Sequence, residues 1–447
     1  MNGLAHTPRS INIRFYSAVM IGALLLMLPA FYNGYPLLNG DSAIYLQFGF
    51  KALTPFEKSI TYGLLVWLSS LNGLSLWPVI FFQACISELL IIKVYTRFIP
   101  GTFSLGHLWP LILLLLSGLP WVVCQLQPDI FISIALLASV LIITNKETTT
   151  KASVLYLIFF MAIATHIALV PLFTVSLFFI FLFRKKFTLP ANVVNKTTRI
   201  SMLILLTITS MVVMGPSLLR SRQVYMLSSL LQHGTLKQFL NDSCNSNNYK
   251  LCKYKDALPA NTHYFLWDEN SPLNKEGGLG AMNSEINHII HVSFTSHQYL
   301  IPYLKSSTIA SLKQLVLYTA ADSPPFNSTT DVYAAVSQYL PHELASFSTA
   351  RQNTTGLSNV IQVYNYLGIA LILISLLLIA ARLVTTKTVS INIQLLTWFC
   401  CTLIVFNALE CGIFSSLNGR YSSRVLWLLP LCAILSLKTK RKPLSVS

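Results

Sequence analysis

The polar stretch Asn39-Gly40-Asp41-Ser42-Ala43-Ile44-Tyr45 follows directly on the first long apolar segment of the chain, residues 15–33. An acidic side chain beside an apolar span is costly unless it faces a cavity or a partner. Asp is also a favoured N-cap residue, and the Ala-Ile-Tyr run after it predicts the start of a helix. A functional role and a capping role for Asp41 therefore both stay open, and the two are compatible.

The composition is that of a protein that uses the bilayer as its solvent. Of the 447 residues, 54% are hydrophobic and only 10% are charged, whereas soluble domains carry about 25% charged residues. The net charge of +16 does not indicate nucleic-acid binding, because the basic residues lie mostly in short loops between apolar segments. Such residues orient a membrane protein. We expect membrane lipids, and no nucleic acid, among the partners.

The hydropathy pattern predicts an all-α polytopic membrane protein with about ten transmembrane helices, each needing about 20 apolar residues. The fourth, fifth, sixth and tenth segments are the shortest. Because Lys and Arg concentrate in the loops on one side, we expect both termini to be cytoplasmic and odd-numbered spans to run outward. The predicted spans cover residues 15–33, 76–96, 107–126, 130–145, 152–167, 168–183, 200–218, 361–381, 392–411 and 424–437.

Two predicted outer segments are too long to be simple connections. Residues 34–75 form a first outer loop whose sequence is typical of one or two helices lying at the membrane interface. Residues 219–360 have the size of a small domain. We therefore divide the chain into an N-terminal membrane module of seven spans (1–218), an α-rich extracytoplasmic loop domain (219–360) and a C-terminal membrane module of three spans with a basic cytoplasmic tail (361–447).

Two of the eight cysteines, Cys244 and Cys252, lie in the long outer loop and close a small polar segment. The other six lie in or beside apolar spans, where they act as small hydrophobes. Two thiols in an oxidising compartment predict a disulfide. Two free thiols and a metal pair are the alternatives, although a metal site would need further His or Cys partners at tight spacing.

Three further polar residues are predicted to lie at the outer ends of spans. Asp129 lies between spans three and four, His166 in the turn between spans five and six, and Glu410 near the outer end of span nine. A helix start explains Asp129 equally well, and the turn at His166 must be polar in any case. If the outer ends of spans one, three and five are neighbours, these side chains surround one outward-facing cleft. Tyr45, one helical turn after Asp41, is predicted to bind substrate there.

Arg420 and Arg424 lie on the outer side just before span ten, against the general trend of positive charge. A guanidinium group binds phosphate through two parallel hydrogen bonds. We predict that both residues bind the phosphate or diphosphate of a lipid-linked substrate. Contact with anionic headgroups or with Glu410 is the alternative.

Several function classes lack their sequence signature. No Walker loop, GxSxG elbow, HExxH or dinucleotide-binding pattern is present, which argues against nucleotide-driven chemistry and the common hydrolase mechanisms. Many transporters are built from repeated halves, and we find no internal repeat here.

The overall plan resembles the GT-C superfamily of integral membrane glycosyltransferases, which use polyprenyl-phosphate or polyprenyl-diphosphate sugars. The likeness covers the layout of residues 10–220 and a few positions, chiefly an acid that opens a long first outer loop (Asp41) and a second acid after span three (Asp129). The family pattern has a pair of acids in that first loop, whereas Ser42 follows Asp41 here. The chain is also similar to uncharacterised bacterial inner-membrane proteins with a Gly-Asp-Ser opening, a Pro-Asp-Ile-Phe turn and a Cys-Lys-Tyr-Lys-Asp segment, here Cys252 to Asp256.

The resemblance implies a glycosyltransferase that takes a polyprenyl-linked sugar donor and a glycan or lipid acceptor. Asp41 and Asp129 are then the expected catalytic residues, with Asp41 as the base for the acceptor hydroxyl. Arg420 and Arg424 neutralise the departing lipid phosphate. No cofactor is required, and a divalent cation held between the two carboxylates stays open.

The same resemblance implies a multi-pass protein of the bacterial inner membrane, with the long loop outside the cytoplasm. His166, Glu410 and Tyr45 then help to bind the substrate. The alternatives are a transporter or flippase for a lipid-linked glycan or another amphiphile, and a non-catalytic envelope assembly factor that displays its outer domain.

Overall fold

The structure is a computed structural model of the chain, and it describes residues 13–55, 57–99, 109–145, 150–187, 193–385 and 389–438. Throughout these residues the regular secondary structure is helical, which confirms the predicted all-α class. The helices are α1 Ile13–Leu26, α2 Leu28–Asn33, α3 Ser42–Lys51, α4 Ile60–Ser69, α5 Trp77–Phe98, α6 Trp109–Leu114, α7 Leu119–Cys124, α8 Ile130–Thr144, α9 Thr150–Ala164, α10 Leu169–Leu182, α11 Val193–Gln232, α12 Thr235–Ser243, α13 Thr262–Trp267, α14 Pro272–Lys275, α15 Gly278–Ala281, α16 Asn283–Thr295, α17 His297–Val316, α18 Asp331–Tyr339, α19 Leu344–Thr349, α20 Ser358–Thr385, α21 Ile391–Phe414, α22 Arg420–Leu426 and α23 Leu428–Lys438.

Within the described ranges, four helices are long and apolar enough to cross a membrane: α5, α21, the stretch Asn195–Gly215 of α11 and the stretch Ser358–Arg382 of α20. Shorter apolar helices, among them α1, α8 and α10, accompany them. This pattern is that of an α-helical membrane protein, while the number of ten spans and their orientation stay predictions. Residues 107–108 of the predicted third span and the basic tail after residue 438 lie outside the described residues.

Three predicted spans, 15–33, 107–126 and 424–437, are each divided into two helices. In place of one helix over 107–126, α6 and α7 are separated by a break at Ser117 and Gly118. The Ser117 hydroxyl stabilises the break, because it donates to a carbonyl of α6 and accepts from the first amide of α7. A Cβ on Gly118 would lie 3.0 Å from Ser423 Cβ, so the glycine lets α22 approach closely. The predicted span 424–437 is likewise divided into α22 and α23.

Helix α8 is the central element, and every one of its residues is buried. Its sequence is apolar on all sides, which is typical of a helix without a solvent-facing surface. In the structure α5, α9, α11, α21 and α22 pack around it. Asp129, the residue just before α8, therefore lies at the centre of the assembly and beside the broken helix α22.

Helix α11 is 40 residues long, or about 60 Å at 1.5 Å per residue. Its first part is a candidate span that ends near Gly215. The helix then continues without a break to Gln232, where it packs against α12, α13 and α16. The predicted domain boundary between residues 218 and 219 thus falls inside a continuous helix.

The segment predicted as one loop domain, 219–360, packs in two parts. Buried residues between Val224 and Tyr303 form a separate apolar core, whereas those between Ala320 and Leu357 belong to the core shared with the candidate spans. The first part contains the disulfide between Cys244 and Cys252, with Cα atoms 5.6 Å apart, which confirms the predicted pairing.

Residues 34–75, predicted to be the first outer loop, contain the two short helices α3 and α4, which agrees with the one or two helices predicted there. Gly49 of α3 packs so closely against Gly63 of α4 that no Cβ fits at Gly49. The connection between the two helices brings Lys58 back to the start of α3, where Lys58 meets Asp41.

Candidate functional site

Asp41 and Asp129 occupy the position before α3 and α8 respectively, yet neither side chain caps its helix. Both residues have backbone angles of the right-handed helical region, not the extended angles of a typical N-cap. At α3 the Ser42 hydroxyl makes the local bonds instead, since it accepts from Asn39 N and donates to Leu126 O. Helix capping therefore explains neither carboxylate.

Asp129 holds two arginines of α22. Arg424 Nη1 donates to Asp129 Oδ1 at 3.0 Å, and Arg420 Nε lies 3.4 Å from Asp129 Oδ2. All three side chains are buried. Burial alone would raise the pKa of the Asp129 carboxyl, but the charges of Arg420 and Arg424 outweigh it and hold the pKa below its usual value. The three groups form an ionised, desolvated cluster.

Amide side chains bind most of the remaining guanidinium donors. Asn407 Oδ1 accepts from Nε and Nη2 of Arg424 at 3.1 and 2.7 Å, and Gln127 Oε1 accepts from Arg420 Nη1 at 2.8 Å. Arg424 thus uses all three of its nitrogens on protein partners. Arg420 Nη2, in contrast, has no hydrogen-bond partner among the residues that the structure describes, so Arg420 retains a donor for a ligand.

Asp41 pairs with a single lysine at the edge of open space. Lys58 Nζ lies 3.2 Å from Asp41 Oδ1 and 3.9 Å from Glu57 Oε1. The Asp41 side chain is 34% exposed, against 4% for Asp129. Burial opposes its charge, but Lys58 and then Arg420 lower the pKa of Asp41 below its usual 3.8. Asp41 is therefore an ionised carboxylate whose Oδ2 is unpartnered in the described part of the chain.

His166 is neutral and offers a proton to the site. Ala168 N donates to His166 Nδ1 at 3.1 Å, which assigns the ring proton to Nε2. Burial, together with the charge of Arg424, lowers the pKa of His166 to about 3. The imidazole therefore stays uncharged at neutral pH and can donate a hydrogen bond into the cavity that it lines.

Of the remaining predicted site residues, Glu410 lies in the site and Tyr45 lies behind it. Glu410 lines the same cavity as His166, and its Oε2 is buried without a hydrogen-bond partner in the described ranges. Tyr45 is only 2% exposed, and its ring packs edge-on against Tyr62 with centroids 4.7 Å apart. Helix α3 directs Tyr45 into the core, so the structure places it in the packing beneath the site and on neither cavity described next.

Two cavities meet at Asp41. The smaller has a volume of about 300 Å³ and lies between α10, α11, α21 and α22. The larger has a volume of about 850 Å³ and lies between α3, α11, α13 and the start of α18. Their common wall consists of Asp41, Lys58, Tyr225, Phe414, Ser415, Arg420 and Tyr421.

The smaller cavity is both basic and apolar. Arg222 and Arg424 line it in addition to the shared Lys58 and Arg420. Arg222 has no ion-pair partner among the described residues. Aliphatic and aromatic side chains complete the wall, namely Ile167, Ala168, Pro171, Met226 and Phe414.

The larger cavity is polar and aromatic. Three carboxylates, those of Glu57, Asp322 and Asp331, line it in addition to Asp41. Hydroxyl and amide groups alternate with ring faces along the rest of the wall, which includes Asn39, Phe48, Ser228, Thr262, Trp267, Phe326, Thr329 and Thr330.

Sequence reasoning misses four residues of this site: Lys58, Gln127, Arg222 and Asn407. Asn407 carries a signal, because an amide in the middle of an apolar helix needs a partner. Arg222 follows a candidate span on the predicted outer side, which is the same signal that singles out Arg420. Lys58 has no local signal, since its role comes only from the fold that brings it to Asp41.

The described residues contain no group of three or more His, Cys, Asp or Glu side chains that could hold a metal ion. Asp41 and Asp129, the two carboxylates between which a divalent cation could bind, also differ in how many of their oxygens already have a cationic partner. Both oxygens of Asp129 already face guanidinium groups, so a cation bound there would have to displace an arginine.

Comparisons of the chain with protein-family models, with curated proteins and with solved structures found no match. A function is therefore argued from the geometry of the site.

Proposed function

We propose that this chain is a membrane glycosyltransferase that moves a sugar from a polyprenyl-linked donor to an extracytoplasmic glycan or lipid acceptor. The observation that carries the proposal is the meeting of two chemically different cavities at one ionised, part-exposed carboxylate, Asp41. A transfer between two bound substrates needs such a junction.

The smaller cavity suits the donor. Its cations can bind phosphate, and Arg420 and Arg222 have donors that no described residue uses. His166 Nε2 adds a neutral donor. The apolar wall, which includes Pro171 and Met226, suits the first isoprene units of a lipid chain that continues into the membrane.

The larger cavity suits a polar acceptor such as a glycan. Ring faces such as that of Trp267, which is 39% exposed, provide stacking surfaces, and the hydroxyl and carboxylate groups provide hydrogen bonds for sugar hydroxyls. A few polar groups placed around a cavity of several hundred Å³ are typical of a small-molecule site. The excess of carboxylates in this wall disfavours an acidic acceptor.

The proposed reaction takes place at the junction. The Asp41 carboxylate accepts the proton of the acceptor hydroxyl as that oxygen attacks the anomeric carbon of the donor sugar. The bond between the anomeric carbon and the phosphate oxygen breaks, and the phosphate leaves with the electron pair. Arg420 and Lys58 stabilise the charge that develops on the phosphate. Lys58 faces both cavities, so donor binding can draw it away from Asp41.

Asp129 receives a different role in this proposal from Asp41. It lines neither cavity and is bound to Arg420 and Arg424. We assign it as a positioning residue that holds Arg420 with one donor directed at the donor phosphate, and we assign Arg424 as part of the same support.

The test is turnover of polyprenyl-phosphate and polyprenyl-diphosphate sugars by the purified full-length chain in lipid nanodiscs. Wild type is compared with Asp41→Asn, which removes the charge and keeps the shape, and with Asp256→Asn, a matched change at an exposed acid outside both cavities. We expect turnover in wild type and Asp256→Asn and a loss of 10²- to 10⁴-fold in Asp41→Asn, the usual contribution of a general base.

Turnover that survives in Asp41→Asn would remove Asp41 as the base. Saturable binding of the donors without turnover, across the panel and with acceptors present, would contradict the transferase and favour a transporter.

A further inference from the structure

Helix α17, His297–Val316, has two contrasting faces, although it belongs to the segment predicted to lie outside the membrane. One face is exposed and mostly apolar, with Lys305 and Thr308 among its large aliphatic side chains. It includes Ile301 (63% exposed), Leu304 (50%), Ile309 (46%), Leu312 (61%) and Val316 (81%). The spacing of these residues places them on one side of a helix. The opposite face carries the small and polar residues Ser307, Ala310, Ser311 and Gln314, which are buried.

The buried face packs lengthwise against α21, one of the candidate spans. Tyr303 Oη donates to Ile413 O at 3.1 Å. Farther along α17, Ser311 packs so closely on Gly412 that no Cβ fits there. Leu315 and Val316 share a cavity wall with residues 401–405 of α21. Residues later in α17 contact residues earlier in α21, so the two helices are antiparallel. The contacts extend over about ten residues of α21, from Ile413 back to the region 401–405.

The end of α17 reaches the middle of another candidate span. Val316 lines an apolar cavity of about 430 Å³ together with Ile369, Leu373 and Leu376. These residues lie well inside the candidate span Ser358–Arg382 of α20. Tyr318 also packs on Gly368 without space for a Cβ. The C-terminus of α17 is thus level with the centre of a membrane-crossing stretch, not with its outer end.

The chain after α17 is irregular, and side chains of the membrane modules satisfy its backbone. Ala320 N donates to Asn365 Oδ1 at 2.7 Å. Asp322 O accepts from Asn39 Nδ2 at 3.1 Å and from Gln125 Nε2 at 3.3 Å. At membrane depth, non-helical backbone is stable only where protein or a water-filled cavity satisfies its polar groups. The amide side chains around residues 317–324 do so.

We propose that residues 297–324 form a re-entrant segment, in which α17 descends into the bilayer beside α21 with its apolar face against lipid acyl chains and the irregular chain returns to the site. The occupant of this face is bilayer lipid. The 430 Å³ cavity is continuous with it through Val316 and accommodates part of an acyl chain. The mean hydropathy of α17 does not predict a membrane segment, because the polar residues that face α21 and the two lysines lower it.

The more N-terminal of the two lysines of α17, Lys305, fits this placement. Lys305 and Lys313 are exposed and lie on or beside the apolar face. Side chains of a helix lean toward its N-terminus, which is the outer end of α17 in the predicted orientation. Lys305 lies 11 residues before Val316, or about 16 Å nearer the outer end at 1.5 Å per residue, so its stem can lie along acyl chains while its ammonium group reaches the phosphate level of the outer leaflet.

The test compares single added cysteines in the full chain, reconstituted in nanodiscs of phosphatidylethanolamine and phosphatidylglycerol. The test site is Leu312→Cys. Leu377→Cys, at a 70% exposed position within the candidate span of α20, is the lipid-facing control, and Glu269→Cys, exposed in the segment predicted to lie outside the membrane, is the aqueous control. Labelling by a charged, membrane-impermeant maleimide is measured over the background of the unmutated protein, and full labelling in SDS confirms each thiol.

We expect Leu312→Cys to label at least tenfold more slowly than Glu269→Cys and at the rate of Leu377→Cys. Spin labels at the same three sites give a second readout. At Leu312 the label should collide more often with oxygen than with a water-soluble nickel chelate, as at Leu377. Labelling at the rate of Glu269→Cys, with nickel collisions dominant, would overturn the re-entrant segment and leave α17 in water. Neither result depends on catalysis.

Discussion

Asp41 and Asp129, the two carboxylates of the site, have similar local backbone positions but different surroundings. Asp41 and Asp129 each precede a helix, and neither caps it. Asp129 is 4% exposed and faces two arginines, whereas Asp41 is 34% exposed, faces one lysine and lies where two cavities meet. The difference teaches that two residues in similar sequence positions can receive different partners from distant elements, and these partners decide between the supporting and the reactive role that we propose.

The largest expected effect is on the supported carboxylate. Asp129→Asn leaves two buried arginines without their counter-charge, and removing one partner of a buried pair costs roughly 3–5 kcal/mol. The free energy of unfolding in mixed micelles measures this loss, with Asp256→Asn as the control for a surface acid. An unchanged free energy of unfolding in Asp129→Asn would contradict the difference between the two carboxylates, because it would mean that Asp129 does not stabilise Arg420 and Arg424.

The next effect separates the two arginines. Arg420→Gln removes the donor that no described residue uses, and a charge-assisted hydrogen bond contributes about 1.5–3 kcal/mol. We expect the donor lipid phosphate to bind roughly 10- to 100-fold more weakly while Asp129 keeps Arg424 as its partner. Isothermal titration with a short-chain polyprenyl phosphate measures it. If Arg424→Gln weakens binding without loss of stability, while Arg420→Gln does not weaken it, the assigned roles are reversed.

A pH profile sharpens the description of Asp41. Lys58 lowers the pKa of Asp41 and burial raises it, so Lys58→Met should raise this pKa and move the acidic limb of kcat/KM to higher pH. In wild type that limb should lie below pH 3.8, the usual value. The pKa values of Asp41 and Asp129 are both lowered by folding, so the stability from their ion pairs is fully present above about pH 4 and is lost as pH falls through the folded values. A limb that Lys58→Met leaves in place would show that the lysine does not control Asp41.

The smallest effect concerns the larger cavity, which is the proposed acceptor site. Of the two carboxylates compared here, Asp41 lines this cavity and Asp129 does not. Trp267→Ala removes a stacking surface, and aromatic contacts contribute about 0.5–1.5 kcal/mol beyond their area. The KM for the acceptor should rise roughly 2- to 10-fold, with the KM for the donor unchanged. Tyr264→Ala, which removes a part-exposed ring of the same helix that lies outside both cavities, is the control. A change in donor KM alone would move Trp267 to the other substrate.

Much of the site follows from the sequence, because its residues stand out against an apolar chain. Asp41, Asp129, Arg420 and Arg424 are costly in or near spans, and the structure brings them together through ion pairs and shared cavities. Their partners are harder to find. Lys58 reads as an ordinary loop lysine until the tight packing of Gly49 on Gly63 folds the first outer loop.

Other differences between the sequence predictions and the structure arise because hydropathy does not report which side of a helix a residue faces or where a helix breaks. Tyr45 is one turn from Asp41, but the helix carries it to the buried side with Leu46 and Gly49. The predicted span at 107–126 has enough apolar residues for one helix, yet it is broken at Ser117 and Gly118, because hydropathy does not report where a serine or glycine lets another helix approach. The predicted span at 424–437 is broken at Trp427. Polar residues of α17 face a neighbouring helix, so its composition resembles that of a soluble segment.

The most direct test of the account measures turnover and unfolding free energy on the same preparations of wild type, Asp41→Asn and Asp129→Asn. The account predicts that Asp41→Asn loses 10²- to 10⁴-fold in turnover and stays within about 1 kcal/mol of wild type in stability, as expected for a part-exposed pair, while Asp129→Asn loses stability first. Asp41→Asn with wild-type turnover, or with the larger loss of stability, would contradict the division of the two carboxylates into reactive group and support.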